Sequence, residues 1–225
     1  MPIFIKFNLS QYYMTPEEYH KFIKAIQDKE FPGIIDKFEQ IPKYTGNIIF
    51  APSHQFRTSK PLMTEEIVAD LRDNHKSVLS VGCGPAYLER LLVSRLGVKP
   101  AQITVVDISN KYVPDGFEFY QFDMHQDWPN LGGTFDYVIF PESPLINVNF
   151  SADMDTSSAT IRQPNREGGL YRLLAHSLNV LNSPGQARLT CAVTDIVRNP
   201  VKKRIEAEFP NVKMHYSGEL TVVKK

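Results

Sequence analysis

The chain has no excess of charge. Its 25 lysines and arginines balance 25 aspartates and glutamates, so no global field draws it to nucleic acid or to an anionic membrane. Lys202, Lys203 and Arg204 do form a basic run, but a run that short reads as the solvated face of a helix. Cysteine is scarce as well. Cys83 and Cys191 make no disulfide framework, which points to a reducing, cytoplasmic setting. No apolar stretch approaches the roughly 18 residues of a membrane span. The opening MPIFIKFNLSQYY lacks the long apolar run and small-residue cleavage site of a signal peptide. His20, His75, His125, His176 and His215 show no zinc-ligand spacing, so no metal is expected. There is no internal repeat and no low-complexity tract.

What is present suits one large domain with an added cap. At 225 residues, 42% of them hydrophobic, the chain can bury a sizeable core. Residues 1–63 read as an N-terminal helical cap. A helix there opens on the capping box Thr15-Pro16-Glu17-Glu18, followed by Tyr19, Phe22, Ile23 and Ile26 at helical spacing. His54, Gln55, Phe56 and Arg57 lie in a segment that either packs on the sheet as a linker or covers a ligand.

From residue 64 onward strands and helices alternate. Strands are expected at 77–81, 103–107, 117–122, 135–140 and 187–193. Helices are expected at 64–74, 87–96, 170–181 and 201–209. Two short strands at 212–216 and 219–223 flank Ser217-Gly218 and read as a hairpin. The pattern predicts a doubly wound α/β fold over residues 64–225: a mostly parallel seven-stranded sheet with a C-terminal antiparallel hairpin. Residues 141–169 read as a long irregular loop, and loops of that length often act as lids.

The chemistry concentrates in VGCGPAYLERLL, which follows the first strand. Gly82 and Gly84 allow a sharp turn and a close backbone approach to a ligand. The helix behind them points its amide-rich end at the same spot. Asp107 ends the second strand, where an acid can accept hydrogen bonds from ribose hydroxyls. Asp123 ends the third, where a carboxylate can meet an adenine amine.

Residues 78–92, with Asp107, Asp123 and FDYVIFPES, resemble the class I S-adenosylmethionine-dependent methyltransferases. The resemblance covers residues 64–225. It implies that Gly82, Cys83 and Gly84 lie against the methionine part of S-adenosylmethionine. By the same carry-over Asp107 meets the ribose, Asp123 and Met124 meet the adenine, Ile108 belongs to the cofactor site beside them, and Pro141 and Glu142 face the methyl group. Glu142 is then the candidate catalytic carboxylate, accepting a proton or hydrogen bond from an amine or hydroxyl.

Two departures stand out. The family commonly carries an acid two residues before the first glycine, and here that position is Ser80. Serine can hydrogen-bond the cofactor's ammonium, but a neutral bond gives about 1 kcal/mol where a charge-assisted one gives roughly 1.5–3. Ala86 stands where a third glycine is frequent, and its methyl group fits if the backbone there is already helical.

A small-molecule methyltransferase is the leading expectation. A non-catalytic module of the same fold, binding a partner or sensing the cofactor, is the alternative. A protein or nucleic-acid methyltransferase is a third reading, though FPESPL does not match the family's motif for methylating base amines. A nicotinamide dinucleotide is the runner-up cofactor, but it wants a glycine near position 87, where Tyr87 stands.

Overall fold

The computed structural model describes residues 63–84, 86–108, 116–141, 159–189, 195–216 and 220–225. The elements, in chain order, are α1 (Glu65–Asp73), β1 (Val78–Val81), α2 (Tyr87–Ser94), β2 (Ile103–Asp107), β3 (Glu118–Gln121), β4 (Phe135–Phe140), α3 (Ala159–Val180), β5 (Leu181–Leu189), α4 (Asp195–Glu208), β6 (Val212–Tyr216) and β7 (Leu220–Lys224). The expected cap at residues 1–63 lies outside the described residues, save for Met63. So does the turn between β6 and β7.

The seven strands form one sheet in the order β3-β2-β1-β4-β5-β7-β6. The first five run parallel, while β7 pairs antiparallel with both β5 and β6. This is the expected doubly wound architecture. The strand order reverses between β1 and β4, and in such sheets the crevice at the carboxyl ends of those strands is where ligands bind.

The period of two decides which side chain meets which helix. Leu79 and Val81 of β1 join Val106, Val138 and Phe140 on one face, packed against Leu170, Leu173, Leu174 and Leu178 of α3 and Val197, Val201 and Ile205 of α4. Val78 joins Ile103, Val105, Tyr137 and Ile139 on the other face, beneath Ile67, Val68 and Leu71 of α1 and Leu88, Leu92 and Leu96 of the α2 segment. Both faces of the central strands are therefore covered, which is why β1 and β2 read as near-continuous apolar runs. Ser80 shares its face with Val78 and is fully buried under α2.

Thr64 caps α1 as expected, its hydroxyl oxygen accepting from the Ile67 amide at 3.3 Å. The Tyr137 hydroxyl donates to Asp70 and pins that helix to the sheet. Lys202, Lys203 and Arg204 are exposed on α4. Arg204 bonds Glu208 at 2.8 Å and its guanidinium lies 3.4 Å from the Tyr171 ring centroid.

Three expectations need correction. Helix α3 begins at Ala159, so the irregular stretch expected at 141–169 is helical from its last third onward. Pro164, Gly168 and Gly169 read as breakers, yet the helix propagates through them because the leucine stripe behind it buries a full face on the sheet. Helix α4 likewise starts six residues before its expected beginning and runs through Pro200. Strand β5 starts at Leu181 rather than 187, with an irregular register against β4 that absorbs Pro184 and Gly185.

At the amino ends of the strands, Asp136 of β4 gathers four donors. The Ser77 amide and hydroxyl meet one oxygen at 2.9 and 3.1 Å; Lys76 and Asn182 meet the other at 3.0 and 3.2 Å. Burial pushes its pKa up, but the bonds from Ser77, Lys76 and Asn182 outweigh that and hold it below 3.8. Asp136→Ala should cost about 2 kcal/mol, read as a lower urea midpoint, because four donors on three half-buried residues lose their acceptor. Since the folded pKa is depressed, the loss should be full at neutral pH and should shrink as the wild-type carboxylate protonates below 3.8.

Candidate functional site

The turn that follows β1 is built from amides that find successive partners on β2. The parallel register sets Val81 beside Val106. The Gly82 and Cys83 amides both donate to the Val106 carbonyl, at 2.8 and 3.1 Å. The next amide in line to do so, Gly84, donates to the Asp107 carboxylate at 2.8 Å. This path needs the left-handed backbone at Gly82 (φ +73) and Gly84 (φ +53). Cys83, buried and free of any disulfide, lies between them. The structure thus brings together the four residues Gly82, Cys83, Gly84 and Asp107 at the switch point.

The remaining expected residues fall around that turn. Ile108 is 67% exposed at the end of β2, an apolar surface offered to solvent beside Asp107. Asp123 is half-buried and accepts from the His125 amide at 2.9 Å, which fixes the chain leaving β3. Met124 reaches back to the turn: a Cβ built on Gly82 would come within 2.7 Å of its terminal methyl. Pro141 is buried at the carboxyl end of β4. Glu142 lies outside the described residues, as do His54, Gln55, Phe56 and Arg57.

Ala86 corrects an expectation. Its backbone is not in the right-handed helical region but left-handed, at φ 55 and ψ 40, as the N-cap of α2. That conformation costs an L-residue roughly 1–2 kcal/mol. The methyl group is fully buried in the cluster beneath α1 and α2, and burying one carbon returns about 0.8 kcal/mol. The two terms nearly cancel, so alanine is tolerated for a different reason than helical geometry.

Glu89 is a site residue that the sequence reading passed over. It sits in the first turn of α2, is fully buried, and its carboxyl accepts from the Ser80 hydroxyl. Its other oxygen, Oε2, has no hydrogen-bond partner among the described residues. Burial pushes the Glu89 carboxyl up to about 7; the Ser80 bond and Arg90 oppose the shift and Asp107 adds to it. A signal was available. Glu89 lies three before Leu92 and seven before Leu96, so an acid occupies the apolar stripe.

These residues suit a nucleoside that carries polar hydroxyls and a cation. The turn has no side chain at Gly82 or Gly84, its bounding Met124 methyl is flexible, an acid closes the neighbouring strand, and a buried carboxylate oxygen lacks a partner. Among the described residues, no three acidic, histidine or cysteine side chains gather to hold a metal ion. No helix among them is long and apolar enough to cross a membrane.

No family model matches the sequence, and no curated protein matches it. Solved structures do. A methyltransferase from Pyrococcus furiosus aligns with TM-score 0.50 at 16% identity, over 92% of this chain and 97% of its own. An amino pentose methyltransferase from Micromonospora echinaspora, solved with S-adenosylmethionine bound, aligns with TM-score 0.45 at 13% identity, over 71% and 89%. A ribosomal RNA methyltransferase from Plasmodium falciparum aligns with TM-score 0.45 at 16% identity, over 67% and 85%. The seven-stranded order, with β7 antiparallel between β5 and β6, is the fold of the class I S-adenosylmethionine-dependent methyltransferases.

Glu89 has a measurable consequence. Its folded pKa, about 7, lies above its ordinary 4.5, so the folded state holds the extra proton between those values. Stability should therefore fall as pH rises through that window, by an amount on the order of 2–3 kcal/mol. Denaturant unfolding of the ligand-free protein from about pH 5 to 8 should show this loss. Glu89→Gln should remove it, so that the stability difference between the two proteins changes with pH. A pH-independent difference would mean that Glu89 titrates normally.

Proposed function

We propose that the chain transfers a methyl group from S-adenosylmethionine to an amine or hydroxyl of a small molecule. The observation that carries this reading is the turn itself: Gly82, Cys83 and Gly84 laid along the end of β2, with Gly84 tied to Asp107. Bound S-adenosylmethionine supplies a methyl group already activated by its sulfonium, so the protein's task is placement.

The two glycines let the ligand lie against bare backbone. Asp107 accepts from the ribose hydroxyls with the carboxylate that also holds the turn. Asp123, Met124 and Ile108 flank the adenine, with Met124 swinging off Gly82 to admit the ligand. Pro141 closes the end of β4 beside β1. Glu142, the next residue, accepts the proton that an amine or hydroxyl loses as it attacks. A small acceptor fits a chain of zero net charge better than a polyanion, whose binding rests on lysine and arginine contacts to phosphate.

The non-catalytic alternative draws its support from the Met124 methyl against Gly82, which narrows the turn. Ligand binding without turnover, across a panel of amine and hydroxyl acceptors, would favour it.

Calorimetric titration decides the cofactor. S-adenosylmethionine and S-adenosylhomocysteine should bind, and a nicotinamide dinucleotide should not. Tight dinucleotide binding, with no response to either sulfur nucleoside, would end the methyltransferase reading. Asp107 can be tested with two substitutions. Asp107→Asn keeps an oxygen for the Gly84 amide, so it should melt like the wild type while weakening S-adenosylhomocysteine by about ten-fold. Asp107→Ala should weaken it further, up to about a thousand-fold, and lose about 1 kcal/mol of stability with the turn's anchor. Unchanged affinity in both would place the ribose elsewhere.

A further inference from the structure

The sequence puts no carboxyl group at position 80 on β1, yet the structure brings one there from α2. Ser80 faces α2, and the first turn of α2 presents Glu89 to it. The helix that carries Glu89 starts directly behind the glycine turn, with the Arg90 amide making its first bond to Ala86 at 2.9 Å. One carboxyl oxygen of Glu89 is engaged by Ser80. The other is fully buried and has no hydrogen-bond partner among the described residues. A buried, half-satisfied carboxylate is costly, and such a group is stabilised by a cation that arrives with its own donors.

We propose that Glu89, oriented by Ser80, is the counter-ion for the ammonium of the amino-acid-bearing nucleoside seated in the glycine turn, and that the site releases a proton to take that ligand. This rests on the cofactor reading above and adds to it which residue recognises the amino-acid end and how pH governs the recognition. The charged groups acting on Glu89 are Asp107, across the turn on β2, and Arg90, beside it on α2. Burial above all, with a smaller push from Asp107, disfavours the charged form, so without ligand the Glu89 carboxyl holds its proton up to about pH 7. An ammonium between the two acids reverses the balance. The neutral carboxylic acid and the ligand's ammonium become a carboxylate–ammonium pair, and one proton leaves to solvent. A metal ion is a poorer fit, because the carboxylates of Glu89 and Asp107 with one hydroxyl are too few ligands for a calcium or magnesium site.

The test is calorimetry on the full chain with S-adenosylhomocysteine and its desamino analogue, which keeps the carboxylate and lacks only the amine. The wild type should bind S-adenosylhomocysteine about ten-fold tighter than the analogue at about pH 7.5. That preference should shrink by about ten-fold toward pH 5.5, as Glu89 protonates. Heats measured in buffers of different ionisation enthalpy should show proton release with S-adenosylhomocysteine and none with the analogue. Glu89→Gln should bring the two ligands to within about three-fold of each other at every pH, while binding the analogue as the wild type does. A preference that persists in Glu89→Gln would overturn the proposal, as would a wild-type preference that is absent or indifferent to pH. The cofactor reading would stand in either case. Failure of both ligands to bind the wild type would remove the cofactor reading and this inference together. If Glu89→Gln does not fold, the wild-type pH dependence and proton release decide the question alone.

Discussion

The hydrogen bond from the Gly84 amide to the Asp107 carboxylate, 2.8 Å long, joins two parts that the sheet builds separately. The parallel ladder carries β1 and β2 to the same height and stops. Beyond it the chain must reverse into α2 without leaving amides unpaired. Val106 takes two of them through its carbonyl, and Asp107 takes the third through its side chain. With the turn fixed in this way, the start of α2 is fixed as well, and so is the placing of Glu89 over Ser80. A residue at 107 without a side-chain acceptor, such as alanine, would leave the Gly84 amide without this partner and loosen the start of the helix. The same acid is therefore structural for the turn and chemical for a ligand, which is why its two substitutions separate the roles.

The electrostatics of the site follow from that geometry. Two carboxyl groups, Asp107 and Glu89, border a turn at the amino end of a helix. The helix favours negative charge there, but burial and mutual repulsion oppose ionising both. Asp107 is partly exposed and bonded to the Gly84 amide. Glu89, fully buried, is the one placed to yield. The raised Glu89 carboxyl is thus set by its surroundings and not by its chemistry.

Much of this was legible in the sequence. The strand positions, the glycine turn, Asp107 and the terminal pair of strands follow from periodicity and turn residues, because local preference and tertiary packing agree there. The misses share a cause. Helices α3 and α4 extend past Pro164, Gly168, Gly169 and Pro200, where burial of a leucine face on α3 and of Val197, Val201 and Ile205 on α4 overrides local breakers. Ala86 is left-handed although nothing in its type demands it, since the turn's hydrogen bonds impose the conformation. Glu89 was passed over because an acid in a helix is ordinarily solvated. Its place in the apolar stripe marks it as inward-facing, and the three-dimensional pairing of β1 with α2 adds that it meets a serine.

Glu89 also bears on what the turn is for. Most of the described fold obeys ordinary rules: a capped α1, alternating faces, an aspartate at 136 with four donors. Departures occur elsewhere too, at left-handed His75 and at the buried Nε2 of His176, but two of them sit together beside the glycine turn. The strain at Ala86 is roughly offset by its buried methyl group, so it carries little weight. Glu89 has no such offset, since half of its carboxyl is buried without a hydrogen-bond partner among the described residues. A turn that only connected a strand to a helix would be more stable with leucine at 89, which would extend the stripe of Leu92 and Leu96 and bury no polar atom. Costs left uncompensated inside an otherwise consistent fold tend to sit where a ligand completes the structure. The chemistry that would complete this one is a cation with several donors, presented from the side of the two glycines.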